Sequence, residues 1–372
     1  MTKKVYNRMK AKMQKTGKLS RNIRIILAIT GKDILDAVKN KTILSVLLSA
    51  LFLFGFYMLF PILEQDDIID LYDAGASTWI SALQDSSPFK VNTYDTLEAM
   101  QYRVSRRGEQ ELGLVLPAGF DQAVESGGPV KLQGYLLNWI GEKKASQLIS
   151  QAETQLAGVV GAPVSISLER LFMLPNTTGT ALSRAVGTLL LIIFCGVLLV
   201  PTLMLEEKRT RTLDALLVSP ASSGQITIGK ALAGLFFCIL AFSLASLFNS
   251  PMILQWGLVI LAGVGAGLFC ISLGLFLGAV VINNQQMRVT ANLLIFPLVI
   301  AIFISLETDL LPAWLVGICR WLPTTAAFDL MRASFTPHTD CAFIVPRLAV
   351  ILLSTVAILG VVAWKTRRSD RM

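Results

Sequence analysis

EEKRTRTLDALLVSPASSGQITIGK, Glu206 to Lys230, is the one substantial polar interruption between long apolar runs, and the reading of the whole chain turns on it. Leu213, Leu216 and Leu217 recur at i, i+3 and i+4 and so share one helical face, while Pro220 stops that helix at about Ser219. Fewer than two helical turns remain. A helix this short is marginal in water, so either the chain's own apolar helices or a separate partner must hold it.

Outward from this stretch the chain is apolar. Of its 372 residues 53% are hydrophobic and 16% charged, and the mean hydropathy is +0.62, values of a membrane protein rather than a globular enzyme. Six runs have the length and apolarity of a membrane-spanning helix: Ile43 to Leu63, Ala185 to Leu205, Ala231 to Phe248, Trp256 to Ile282, Val289 to Leu306 and Ile344 to Trp364. The basic lead before the first run is too long for a signal peptide, and no small-residue cleavage site follows, so that run reads as an uncleaved span. Residues 1–41 carry twelve Lys/Arg against two acids, and the tail after Trp364 carries four against one. Both termini are therefore expected in the cytoplasm, as an even number of spans requires. Residues 64–180, with fifteen Asp/Glu against eight Lys/Arg, fall on the outside.

The expected organisation is a cytoplasmic tail with an amphipathic interfacial helix (1–42), a first span (43–63), an extracytoplasmic α/β domain (64–180), and five further spans (181–372). The last part includes the cytoplasmic loop 206–230, an external re-entrant segment 307–343 and a cytoplasmic tail 365–372. The fold class is thus a membrane all-α bundle of six helices with an α/β domain inserted between the first two. In the basic lead, Ile23, Ile26, Leu27, Ile34, Leu35 and Val38 lie among Arg and Lys, as in a helix resting in the membrane interface. Between Leu19 and Lys41 no aromatic residues interleave the basic ones, so a nucleic-acid partner is not expected. In the insert, strand-like stretches at 68–72, 113–117, 131–137 and 164–172 alternate with helical ones at 78–83, 96–106 and 142–159.

The chemistry-bearing residues are sparse. Cys195, Cys238 and Cys270 sit inside apolar runs and read as small hydrophobes. Cys319 and Cys341 fall on the expected outer side, where an oxidising compartment permits a disulfide and nothing else demands it. With His338 the single histidine, neither a histidine metal site nor a His-assisted nucleophile is expected. Gly224 to Lys230 fits G-x-x-x-x-G-K, yet Ala231 replaces the Ser/Thr that would hold magnesium, and Ser222 with Gln225 forms a capping box that starts a helix there. A nucleotide site is therefore rejected. Gly263, Gly267, Gly274 and Gly278, in two GxxxG pairs, mark a face for close helix packing. Asn283 to Arg288 reads as a polar turn. No Asp or Glu lies deep in any apolar run, so a proton- or sodium-coupled carrier is disfavoured and the energy for transport should come from outside the chain.

Glu207 to Lys230 resembles the cytoplasmic loop signature of type-2 ABC transporter permeases, E-[RK]-E-x-G-T-[LIM]-E-x-L-L-x-[ST]-P-[VI]-S followed by G-K. Glu207, Thr212, Leu213, Leu216, Leu217, Ser219, Pro220 and Gly229-Lys230 match, Asp214 stands for the usual acid, and Arg209 and Arg211 depart from the pattern. WLPTTAAFDLMRASF, Trp321 to Phe335, is similar to a second family segment, with Pro323, Phe328 and Arg332 at the corresponding places in an external re-entrant hairpin. The resemblance implies a non-enzymatic membrane subunit of an ATP-driven exporter in the cell membrane of a prokaryote. It further implies a second permease copy, identical or related, and a separate ATP-binding subunit that carries the ATP and magnesium and docks on Leu213, Leu216 and Leu217. The competing reading is a surface-exposed anchoring or receptor-like protein with a permease-like bundle and no ATPase.

Overall fold

The computed structural model describes residues 22–63, 68–86, 89–209, 222–281, 283–306 and 311–369. The chain starts with two helices, α1 (Asn22–Lys39) and α2 (Lys41–Leu63), bent by 73° to one another. Leu44 N still donates to Asn40 O at 2.9 Å, so the bend is a change of direction in continuous backbone.

Residues 68–171 form a five-stranded sheet in the order β2-β1-β3-β4-β5, with β1 Ile68–Asp73, β2 Lys90–Tyr94, β3 Leu112–Leu116, β4 Val130–Leu137 and β5 Val164–Leu171. Only the β3–β4 pair is antiparallel. Three helices connect parallel strands: α3 (Ile80–Ser86) and α6 (Glu142–Val160) join neighbours, α4 (Leu97–Arg107) carries the chain from β2 past β1 to β3, and the short α5 (Phe120–Glu125) follows β3. Right-handed crossovers put α4 on one face and α3 with α6 on the other. Two departures from the sequence expectation have local causes. The helix expected from Thr78 begins only at Ile80, because Thr78 is held in a turn, its N and Oγ1 donating to Asp121 Oδ2 at 3.0 and 2.9 Å. The strand β2 was not anticipated; its sequence KVNTY lies at the sheet edge with two exposed residues and little apolar alternation to betray it.

The helical part begins at Gly179. Its helices are α7 (Gly179–Ile193), a π-helical stretch Phe194–Leu199, α8 (Val200–Arg209), α9 (Ser223–Asn249), α10 (Trp256–Val280), α11 (Asn284–Leu306), α12 (Ala313–Arg320), α13 (Pro323–Ala333) and α14 (Cys341–Ser369). Among the described residues, five of the resulting helices are long and apolar enough to cross a membrane, and counting α1–α2 as one bent span brings the number to six. An irregularity lies just before Pro201: a proline cannot donate to the carbonyl four residues back and its ring crowds that carbonyl, and the chain widens into a π-helix there. The polar turn expected over Asn283 to Arg288 is shorter than anticipated. Asn283 Oδ1 accepts from Gln286 N at 2.8 Å, and α11 is helical from Asn284 on.

The sheet core and the bundle core are continuous, running from Leu71, Leu114 and Leu136 through Met173 and Ala181 to Leu189, Phe269 and Phe328. Arg184 at the start of α7 also lies 5.4 Å from the Trp139 ring of the β4–α6 turn, a cation–π contact across the seam. Cys319 and Cys341 stand as free thiols, the first buried and the second exposed.

Candidate functional site

Three clusters receive the residues singled out by sequence. The first is at the ends of the 206–230 stretch. Thr212, Leu213, Asp214, Leu216, Leu217, Ser219 and Pro220 lie outside the described residues, as does the Glu207 side chain. On the far side of that gap Ser222 caps α9: its Oγ accepts from Gln225 N at 3.4 Å, and Gln225 Oε1 accepts from Ser222 N at 2.9 Å. Gly224 to Lys230 is helical throughout. Lys230, 1% exposed, places Nζ 3.3 Å from Asp33 Oδ2 and donates to Leu203 O, also at 3.3 Å. Leu203 belongs to α8, Lys230 to α9 and Asp33 to α1. One ammonium thus fixes both helices that lead into the 210–221 gap and the amphipathic helix beside them.

Neighbouring contacts reinforce this junction. Thr30 Oγ1 donates to Ile26 O at 2.9 Å and to Gly229 O at 3.1 Å. A Cβ on Gly229 would lie 2.7 Å from Ile29 Cγ2, so only glycine lets α1 approach so closely. Ala37 joins Leu199, Leu203, Ala233 and Phe237 in a small apolar core. The buried face of α1 is therefore Ile29, Asp33 and Ala37, at i, i+4 and i+8, whereas Ile23, Leu27, Leu35 and Val38 are exposed. Of the six apolar residues named in the sequence, these four are exposed and Ile26 and Ile34 are half-buried; Asp33 and Leu203 were not anticipated. The available signal was Asp33 itself, one of two acids in a basic stretch and spaced four residues from Ile29 and Ala37.

The second cluster is α13, a short helix nearly all of whose residues are buried. Pro323 occupies its first turn, where a missing N–H costs nothing. Phe328 is fully buried and lies 4.9 Å beneath the Arg332 guanidinium. Arg332 Nη1 donates to Thr177 O at 3.2 Å, in the corner that joins the sheet to α7. Asp329 pairs with Arg332 at 3.8 Å and with Arg347 of α14 at 2.9 Å. At the same end Gln255 Nε2 donates to Thr336 O at 2.9 Å. Asp329, Arg347, Thr177 and Gln255 were not anticipated; each sits in a contact between distant parts of the chain.

The third cluster is the glycine face of α10. A Cβ on Gly274 would lie 2.2 Å from Gly196 O, one on Gly278 2.3 Å from Met204 Sδ, and one on Gly263 2.3 Å from the Phe242 ring, whereas Gly267 has only an ordinary 3.5 Å contact with Cys238. Gly196 lies in the π-helical stretch and is equally pressed: a Cβ there would lie 2.4 Å from Cys270 Cβ. All of these contacts are within the one chain. Among the described residues, no three His, Cys, Asp or Glu side chains gather into a group able to hold a metal ion.

An ABC-2 family transporter protein model matches residues 41–365, nearly the whole chain and all three clusters except Asp33 and its neighbours on α1. The chain belongs to the ABC-2 transporter family. It is a multi-pass membrane protein, a permease of the kind that forms the membrane component of an ABC transporter and normally works with an ATP-binding subunit. Permeases of this family are transport subunits and not themselves enzymes. No curated protein and no solved structure matches the chain.

Proposed function

We propose that this permease is the transmembrane half of an ATP-driven exporter, working as a dimer with a second permease and coupled through residues 206–230 to separate subunits that bind ATP and magnesium. The observation that carries the reading is the junction at Lys230: the stretch with the docking signature leaves from α8 and returns through α9, and one buried ammonium ties both to α1. Leu213, Leu216 and Leu217 would fill a groove on the ATP-binding subunit, with Asp214 in the first turn, where the helix dipole favours an acid. Because α1, α8 and α9 are pinned together, a displacement of the loop moves all three as one body rather than bending the loop alone. In this reading the termini are cytoplasmic, the 68–171 sheet lies outside the cell membrane of a prokaryote, and α12–α13 form the external re-entrant segment. Cargo is open among drug, lipid, peptide and ion.

The test is co-expression with a candidate ATP-binding subunit, followed by complex isolation and ATPase assay. Wild type is expected to co-purify with it, and Leu216→Arg, which puts a charge on the apolar docking face, to lose at least tenfold in association, about 1.4 kcal/mol. Equal association of the variant would remove the docking role from the loop.

A further inference from the structure

A cavity of about 500 Å³ separates α9 from α14. Gly224, Thr227 and Ala231 of α9 line one wall, Leu359, Ala363 and Thr366 of α14 line the other, and Leu275 of α10 forms the floor. Each wall is one helical face about two turns long, a rise of about 10 Å. The walls run in opposite directions, because Gln255, just past the end of α9, donates to Thr339 Oγ1 at 2.9 Å, just before α14 starts. Gly224 is therefore level with Thr366, and Ala231 with Leu359. Among the described residues that line the slot none is charged, and its two threonines lie toward the end where α9 starts and α14 runs out. Ile228 and Leu359 on its walls are 50% and 40% exposed, so the slot opens on the outer surface of the bundle.

We propose that this slot holds the hydrocarbon of one resident anionic phospholipid, with the phosphate at the threonine end against the basic run that continues α14. The run is on the page in Trp364-Lys365-Thr366-Arg367-Arg368, and the tail after Trp364 carries four Lys/Arg against the single acid Asp370. It is an extension of the same helix, since α14 is helical to Ser369 and Arg367 follows the wall residue Ala363 at i+4. Lys365 is half-buried beside Thr366, and Trp364 is 63% exposed. A tryptophan followed by basic residues at the end of a spanning helix marks the headgroup level, and such a cluster attracts anionic lipid over neutral lipid.

Size separates a lipid from a helix of a second chain. A volume of about 500 Å³ spread over about 10 Å of length leaves a cross-section of about 50 Å², smaller than a helix about 10–12 Å across fills. Hydrocarbon chains fit such a slot and bring no backbone polar group into it, whereas the lining has almost nothing to pair with one. The bound lipid touches α9 and α14 together. It thereby fixes α14 against the helix that carries Lys230, at the end of the bundle from which the 206–230 stretch leaves.

The experiment uses the full chain in detergent and needs no ATP-binding partner, so its outcome is independent of the exporter reading. The melting temperature of wild type should rise on adding dioleoyl phosphatidylglycerol, rise less with dioleoyl phosphatidylcholine, and stay unchanged with inorganic phosphate. Ala231→Phe, which fills the slot, should lose the response to both lipids. Lys365→Gln combined with Arg367→Gln should weaken phosphatidylglycerol binding about tenfold and leave phosphatidylcholine binding as it was. Equal responses of wild type to the two lipids, a response to phosphate alone, or an Ala231→Phe chain that binds phosphatidylglycerol as wild type does overturns the proposal. Wild type decides alone if the variants do not fold: phosphatidylglycerol with a photoreactive group in its acyl chain should cross-link to residues 224–231 and 359–366. Equal labelling of the exposed face of α11 overturns the site. Labelling that is present in the monomer and vanishes in a dimer gives the slot to a second copy instead.

Discussion

At the scale of single residues, the Lys230–Asp33 pair defines the end of the bundle from which the 206–230 stretch leaves. Two buried charges, 1% and 4% exposed at the side chain, are stable only as partners, since removing one strands the other in a poor solvent. Asp33→Ala is expected to destabilise the permease by about 3 kcal/mol. The double replacement Asp33→Leu with Lys230→Met should recover most of that loss, because apolar residues of similar volume remove both desolvation penalties at once. Denaturant unfolding of both variants in detergent checks the pair; a double variant no more stable than Asp33→Ala would show that the two charges do not act together. Lys230 was visible in the sequence as the end of a G-K pair. Its partner was not, because an acid 197 residues earlier acquires meaning only when α1 folds back on α9.

At the scale of elements, the crossing of α10 with the second apolar helix depends on backbone meeting backbone. Gly274 faces the Gly196 carbonyl, which cannot withdraw without unwinding its own helix, so Gly274→Ala should cost about 2 kcal/mol by overpacking. Gly267→Ala meets only an ordinary contact, and the alanine favours the helix by up to ~1 kcal/mol, so that variant should be neutral or slightly more stable. Thermal unfolding of the two single variants side by side measures the difference. The GxxxG spacing in the sequence named four glycines of α10. It could not rank the four glycines, because the ranking depends on which atom of which other helix faces each one. Nor did it point to Gly196, which has no small partner four residues away and owes its tightness to the wider π-helical turn.

At the scale of the whole molecule, the sheet and the bundle meet at the 172–180 corner, and Arg332 is the clasp from the bundle side. Its guanidinium reaches from α13 to Thr177 O, while Asp329 keeps a second partner in Arg347. Removing Arg332 therefore frees the corner without leaving Asp329 unpaired. Arg332→Ala is expected to raise amide hydrogen exchange across residues 172–180 and to leave the β3 core strand, Leu112–Leu116, at its wild-type protection. Exchange that rises equally in both would mean that the residue supports the entire fold and not the joint.

The sequence by itself determined where the apolar helices lie, because a long run of apolar residues has few alternatives to a helix that buries its own backbone polar groups. It determined the start of α9 through a capping box that is local in the chain, and it carried the family signature in contiguous residues. It marked β3, β4, β5, α4 and α6 within a residue or two, where apolar pattern and length agree. Only the tertiary structure decided which face of α1 is buried, that Lys230 holds three helices and that α13 clasps the sheet corner. These are contacts between segments far apart in sequence, made by charged or small residues whose local pattern favours exposure. Their burial is imposed by the neighbours they meet.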